Sequence, residues 1–353
     1  MAEFLEKELD EPLLSEGSDN SDDDDGGLGG MYADIDQQML KSVLEEVDEF
    51  YIQQRVLLLE AITCGCVEQK NIYDIYDKTT MKKILIVREE SGAVNRCCCN
   101  PNHSLFAEFY TVDESGAEMG APVMTMEREG CDCGSPCPKP FIGCWACGEG
   151  CSHKAMLYQG DFSEAAKPGN MKGAMRDKAA LLGATVQPIT GGGFTPVLQI
   201  MERDGDDNEE PKLVQFSAMK GPTLFGGCSE LCVDSVFGIS KATDDMGVDE
   251  IKTLNIGDFA EIQKHKPDTF VGALREAFTD SDMYSVSFKE KETSVKQKAN
   301  VLASMILIDY MFFERDNDMI RSNYDGTTIT CCNCFCYGCI CPCFIYISHR
   351  NSY

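Results

Sequence analysis

The sequence predicts a mainly β fold, an antiparallel sandwich or barrel, with an amphipathic helix before it and one wholly apolar helix after it. Three observations carry this. Between residues 70 and 290, short runs rich in β-branched and aromatic residues recur between turn signals. Residues 299–313 carry one charge, Asp309, and otherwise read as buried on every side. Residues 36–62 place Leu40, Leu44, Val47, Tyr51 and Leu58 at helical spacing.

In chain order, residues 1–35 form an acidic tail rich in Ser and Gly that cannot bury a core. Within it, "DEPLL" from Asp10 fits a short acidic-dileucine pattern, and Ser21 precedes four Asp. The tail offers a surface to protein partners. The 36–62 helix follows. Strands are predicted at 83–87, 105–112, 122–127, 154–160, 196–202, 212–219, 235–241, 259–265 and 283–290. In the last, Tyr284, Val286 and Phe288 alternate with Ser285 and Ser287. "TGGGFTP" at 190–196 and "RDGDDNEEP" at 203–211 read as loops.

The segment from Ala299 through Ile306 and Asp309 to Phe313 has two readings. Fifteen helical residues reach about 22 Å, short of the roughly 30 Å of a bilayer core, and Asp309 costs about 3 kcal/mol at mid-bilayer. Those figures favour a buried core helix. A short span remains the other reading, and Lys289, Lys291, Lys296 and Lys298 before it would then favour a cytosolic N-terminal side.

The net charge is −28, of which −12 lies in residues 1–38. An acidic chain gains nothing from counterion release on a polyphosphate, so nucleic acid is excluded as the default partner. It is also repelled by anionic lipid unless calcium or a covalent lipid holds it there. No secretory signal opens the sequence. Four His, with no Ser–His–Asp pattern, no P-loop and no dinucleotide fingerprint, predict a protein that is not an enzyme.

Twenty cysteines fall in clusters: three at 97–99, six from Cys131 to Cys151 and seven from Cys331 to Cys343. In a reducing compartment such clusters suggest metal, redox chemistry or acylation. Cys144, Cys147, Cys151 and His153 also fit a tight zinc knuckle. Thr327 to Ser348 is uncharged, and aromatic and aliphatic residues interleave Cys331, Cys332, Cys334, Cys336, Cys339, Cys341 and Cys343. Residues 319–353 therefore read as a Cys-rich, acylated anchor, with a metal-binding tail or a short span as alternatives.

"KHKPDTFVGALREAFTDSDMYSVSF" (264–288) followed by "ILIDYMFFE" (306–314) closely resembles the C-terminal signature of the phospholipid scramblases. "VDEFYIQQRVLLLEAITC" (47–64), "NIYDIYD" (71–77) and "RCCCNPNHSLFAEFYTVDESGAEMGAPVMTMEREGCDC" (96–133) are similar to that family's opening and middle. The resemblance implies a tubby-like fold over 36–318: a closed barrel of about twelve antiparallel strands around the 299–313 helix. It also implies calcium-stimulated, ATP-independent, bidirectional movement of phospholipids between leaflets. It implies a plasma-membrane protein with a cytoplasmic N-terminus, lipid-anchored or single-pass; the family is commonly described as spanning once through this helix.

The same resemblance makes "FTDSDMYSVSFKEKE" (278–292) a calcium segment, with Asp280 and Asp282 as ligands. The family's further acid falls at Lys291 here, so Glu290 and Glu292 on either side are the substitutes. It also makes the central cysteines sites for palmitate, ahead of zinc. The alternative function is a calcium-responsive, palmitoylated adaptor at the membrane that transports nothing.

Overall fold

The computed structural model describes residues 38–55, 70–92, 103–130, 146, 148, 151–161, 181–204, 212–255, 257–266, 282–313 and 320–349. Twelve strands close an antiparallel barrel: β1 (Glu49–Gln54), β2 (Ile72–Asp77), β3 (Lys83–Glu90), β4 (Leu105–Val112), β5 (Glu118–Glu129), β6 (Lys154–Gln159), β7 (Leu181–Val186), β8 (Val197–Asp204), β9 (Lys212–Lys220), β11 (Ser235–Lys241), β12 (Ala260–Lys264) and β13 (Met283–Phe288). They follow one another around the wall, except that β11 pairs with β9 and β13 closes on β1. The skipped strand β10 (Leu224–Phe225) joins β14 (Ile320–Asn323), β15 (Gly326–Cys336) and β16 (Cys339–Ser348) in a second sheet. All nine expected strands are present.

Inside the barrel runs α3 (Val295–Ile308), α1 and α2 being residues 38–44 and Val248–Thr253, and α3 continues as a π-turn over Asp309–Phe313. Its start has a local cause. Ser294 Oγ accepts from the Gln297 amide at 3.1 Å and Gln297 answers to the Ser294 amide, a capping box. Every residue from Lys298 to Phe313 is buried. The barrel wall supplies matching side chains, for instance Phe50 and Ile52 of β1 and Tyr284 and Val286 of β13. The segment that sequence leaves between bilayer and core is core here, and no helix among the described residues is long and apolar enough to cross a membrane.

The helix lies closest to β7, where the wall is thinned. Asn300 Nδ2 donates to the Leu182 carbonyl at 3.4 Å, and Ser304 and Thr185 hydroxyls meet at 2.7 Å. Between them stands Gly183, where a Cβ would fall 2.3 Å from both Asn300 Oδ1 and the Met201 carbonyl. Two of the polar side chains of this largely apolar helix, Asn300 and Ser304, thus find partners on one strand.

Each end of the barrel is closed differently. At the α3 N-terminal end, α1 lays Leu40 and Leu44 into the core. There the Lys298 ammonium donates to the carbonyls of Leu44 (3.1 Å), Glu45 (3.0 Å) and Val47 (2.8 Å) and to the Asp48 carboxylate (2.9 Å). Lys298 therefore caps α1 from inside the barrel and does not flank a membrane span. At the other end, Phe225 of β10 and Phe335 of β15 pack on Phe312 with ring centroids 5.1 and 5.9 Å apart.

Two expectations need correction. Among the described residues of 36–62 the helix is residues 38–44, and β1 begins at Glu49. Phe50 and Ile52 alternate inward between two partner strands, so the period-2 pattern wins over the helical one. Strands β2 and β7 were not expected. The Cys-rich C-terminal segment, expected as an acylated anchor, takes the conformation of a hairpin: "YG" at 337–338, with φ of 51° and 90°, makes its two-residue turn. Residues 1–35, with the dileucine-like motif, lie outside the described residues.

Candidate functional site

The candidate site is the barrel end at which α3 finishes. Strand β12 alternates inward at Ala260, Ile262 and Lys264. Lys264 is the anomaly, a cation at an inward position, and burial demands partners for it. It finds two: Nζ lies 2.9 Å from Asp282 and 2.8 Å from Glu230, and 4.0 Å from the Phe313 ring centroid. Asp282 immediately precedes β13, and Glu230 comes from the 3-10 turn Gly227–Leu231.

One residue deeper, Asp309 opens the π-turn and is 2% exposed. Its carboxylate accepts from Tyr73 of β2 and Tyr284 of β13. The Tyr284 hydroxyl also lies 3.3 Å from Asp282. A continuous polar chain thus runs from Glu230 and Lys264 through Asp282 and Tyr284 to the end of the central helix. The next residue, Tyr310, is pinned on the neighbouring strand β3, where its hydroxyl donates to buried Glu89 at 2.8 Å. Glu89 also meets His103 at 3.2 Å and the Asn71 amide at 2.9 Å. π-Turns frequently sit at functional sites, and this one is tied to three strands of the wall, β13, β2 and β3.

The electrostatics follow from burial. Burial first, then the charge of Asp282, pushes the Asp309 carboxyl up to about 6, against the hydrogen bonds from Tyr284 and Tyr73. Burial and the two aspartates likewise push the Tyr284 phenol well above its ordinary value. Burial also raises Glu89, but hydrogen bonds from His103, the Asn71 amide and Ser91 outweigh it and hold the carboxyl below its ordinary range.

The Asp309 shift makes a prediction. A carboxyl raised in the folded state contributes stability that is full below its unfolded value near 4 and lost as pH rises through about 6. The span is worth roughly 3 kcal/mol. Urea unfolding of Asp309→Asn between pH 4 and 7 should lack that decline; an unchanged slope would assign it to other groups.

Among the described residues, Asp282 does not share an end of the barrel with Glu290 and Glu292. Asp282 precedes β13 and Glu290 follows it, so the strand holds them about 26 Å apart, at opposite ends of the barrel. Glu290 is paired with Lys241 at 2.7 Å, and Glu292 is exposed beside it. Asp280 lies outside the described residues. At the Asp282 end, Asp282 and Glu230 hold a positive charge, Lys264, between them. Sequence reading missed Glu230, Lys264 and Tyr73; the inward lysine of β12 was the available signal.

Of the central cysteines, Cys144 and Cys147 lie outside the described residues and Cys151 is half-buried. Among the described residues no group of three or more His, Cys, Asp or Glu is placed to hold a metal ion. The C-terminal cysteines fall into an order. The two-residue turn sets Cys336 opposite Cys339, Cys334 opposite Cys341 and Cys332 opposite Cys343. Alternation then puts all six on one face of the hairpin. Cys331 is the extra residue at the bulge between Thr330 and Cys332.

Comparison with known proteins places these elements. The family profile described as Scramblase matches residues 31–163 and 227–315. That takes in α1, most of the barrel, α3 and its π-turn, and stops short of β14–β16. Phospholipid scramblase 1 of Homo sapiens is 27% identical over 271 residues, covering 77% of this chain and 64% of that protein. Phospholipid scramblase 2 of Bos taurus is 25% identical over 271 residues, 77% of this chain and 70% of that protein. A stretch of 54 residues is 48% identical to phospholipid scramblase 2 of Homo sapiens, but covers only 15% of this chain. This chain thus spans less than two thirds of the first of these relatives. No solved structure matches.

Proposed function

The chain belongs to the scramblase family, and from that premise we propose that it moves phospholipids between the leaflets of a membrane, in both directions and without ATP. The observation that carries the reading is the family match over most of the barrel, α3 and the π-turn together. The sequence offers no nucleotide-binding loop to drive transport uphill, and lipid movement down a gradient needs no bond to be broken.

Calcium stimulation is the second part of the proposal. The residues that would hold the ion are Asp282 and Glu230, with Asp280 from the adjoining segment. Calcium would supply there the positive charge that Lys264 supplies in this structure. Their link to Asp309 through Tyr284 ties the site to the end of the helix that fills the barrel. Palmitate on Cys144, Cys147, Cys151 and the C-terminal cysteines would hold an acidic protein at the plasma membrane from the cytoplasmic side. The acidic N-terminal tail would take protein partners.

One observation favours a second reading. From Lys298 to Phe313 every residue of the central helix is buried, so among the described residues the helix, and not a lipid path, occupies the barrel interior. A polar headgroup crossing hydrocarbon unshielded is the barrier that scrambling must lower. Transport must therefore run along the outside of the protein, or else the protein is a calcium-responsive membrane adaptor.

Reconstitution into liposomes with a fluorescent phospholipid, bleached by dithionite, decides between them. The proposal expects calcium-dependent bleaching beyond the outer-leaflet share, lost in Asp280→Ala/Asp282→Ala. Bleaching confined to the outer leaflet, with protein bound to the vesicles, would leave the adaptor.

A further inference from the structure

The face that carries the six cysteines continues beyond them. The register sets Ile329 opposite Ile345, Thr327 opposite Ile347 and Ile320 opposite Ile329, while Leu224 of β10 lies opposite Cys334. By alternation these side chains share the cysteine face. Phe225 and Phe335 point the other way, onto Phe312 at the barrel end. The cysteine face is therefore the outward one. Leu224 is 57% exposed, Ile320 64%, Ile345 57% and Ile347 50%. From Thr327 to Ser348 no charge interrupts it, and a contiguous apolar face of this kind marks an interaction site.

We propose that this sheet, β10 with β14–β16, is a lipid-binding surface that seats the barrel end on the headgroup–acyl boundary of an uncharged, zwitterionic bilayer. Three observations choose lipid over another occupant. Away from the barrel the sheet is exposed on both faces, since Phe344 and Tyr346, on the opposite face, are 60% and 53% exposed. A second copy or a protein partner stacked on the outward face would leave them bare, whereas a bilayer surface takes in both.

Second, β16 is an edge strand whose outer backbone groups face no strand among the described residues. Pro342 sits there, opposite Asn333, at a position that does not bond across the hairpin, which takes one donor off the open edge. The remaining groups need water or headgroups, so the sheet can lie in the interface but cannot span hydrocarbon. Third, the face is neutral while the chain carries −28. Burial of apolar area must supply the attraction, and anionic lipid must oppose it. The proposal does not depend on lipid movement, because an adaptor would use the same face.

The test is flotation of the full chain, purified from bacteria so that no acyl group is attached, with thiols kept reduced. Vesicles of phosphatidylcholine alone should carry it upward. Replacing part of the lipid with phosphatidylserine should weaken binding at low salt, and added salt should restore it. Ile345→Glu/Ile347→Glu should lower the bound fraction at least tenfold, and Phe344→Ser/Tyr346→Ser severalfold. Independently of any variant, maleimide labelling of the exposed thiols of Cys341 and Cys343 should slow when phosphatidylcholine vesicles are added. Protein that stays unbound with unchanged labelling overturns the proposal. So does a dimer in solution that Ile345→Glu/Ile347→Glu dissociates while Phe344→Ser/Tyr346→Ser leaves it intact; a second copy would then cover the face.

Discussion

Lys298→Met lowers the stability of the protein by about 3 kcal/mol in urea unfolding, although it replaces a charge with an apolar chain inside a hydrophobic barrel. Lys298 is 1% exposed. Its ammonium shares three N–H groups among the carbonyls of Leu44, Glu45 and Val47 and the carboxylate of Asp48. Methionine fills the space of the stem but donates nothing. The Leu44 carbonyl, at the end of α1, is then left with the long bond from the Val47 amide at 3.4 Å, the Glu45 and Val47 carbonyls lose their lysine donor, and α1 loses its attachment to α3. The same substitution separates the two readings of the helix. As a charge flanking a bilayer span, Lys298 would be dispensable to folding, and Lys298→Met would leave the unfolding midpoint where it is.

Gly183→Ala costs about as much from the other side of the helix. The added methyl would meet the Asn300 amide and the Met201 carbonyl at 2.3 Å, and the carbonyl belongs to the paired strand β8. Asn300 can rotate away only by giving up its bond to Leu182. Overpacking of a close-packed core costs about 1–3 kcal/mol, and more where backbone must move. The destabilisation is read from urea unfolding. Combining Gly183→Ala with Asn300→Ala should recover part of the loss, because it clears one of the two contacts. Full recovery would mean that the strand carbonyl yields freely.

Much of the barrel was legible because its strands are short, alternate cleanly and sit between turn signals, as in Tyr284–Val286–Phe288. Strand β1 was not. Leu40, Leu44, Val47 and Tyr51 keep a helical spacing across what is in fact a helix, a turn and a strand. β7 was missed because "LLGATV" is small and Gly-centred; its composition serves the approach of the helix, not strand propensity. The apolar helix was legible, but its position was not, since a barrel core and a bilayer ask the same of its side chains. What settled it were its polar members. Lys298, Asn300, Ser304 and Asp309 each have a named partner on the surrounding elements.

The site was half legible. The acidic pattern at 280–292 pointed to the right strand but joined its two ends, because spacing along a sequence says nothing of which end of a barrel a residue occupies. Glu230 and Lys264 come from distant segments that only the closed barrel brings to Asp282. In the C-terminal hairpin, by contrast, the order was written in the sequence. Cysteines at every second position on both sides of "YG" can share one face only if that pair is a two-residue turn, and the residues on either side show the same alternation.

Everything proposed for this protein depends on where the central helix resides, so hydrogen exchange of the full chain in detergent-free buffer, repeated on phosphatidylcholine vesicles, is the most direct measurement. A helix enclosed by a closed barrel opens only with the global unfolding of the domain. The amides of residues 299–308 should therefore be among the slowest in the protein in plain buffer, and equally slow on vesicles. Rapid exchange of 299–308 in buffer that becomes slow only on vesicles would contradict the account and make the segment a membrane element.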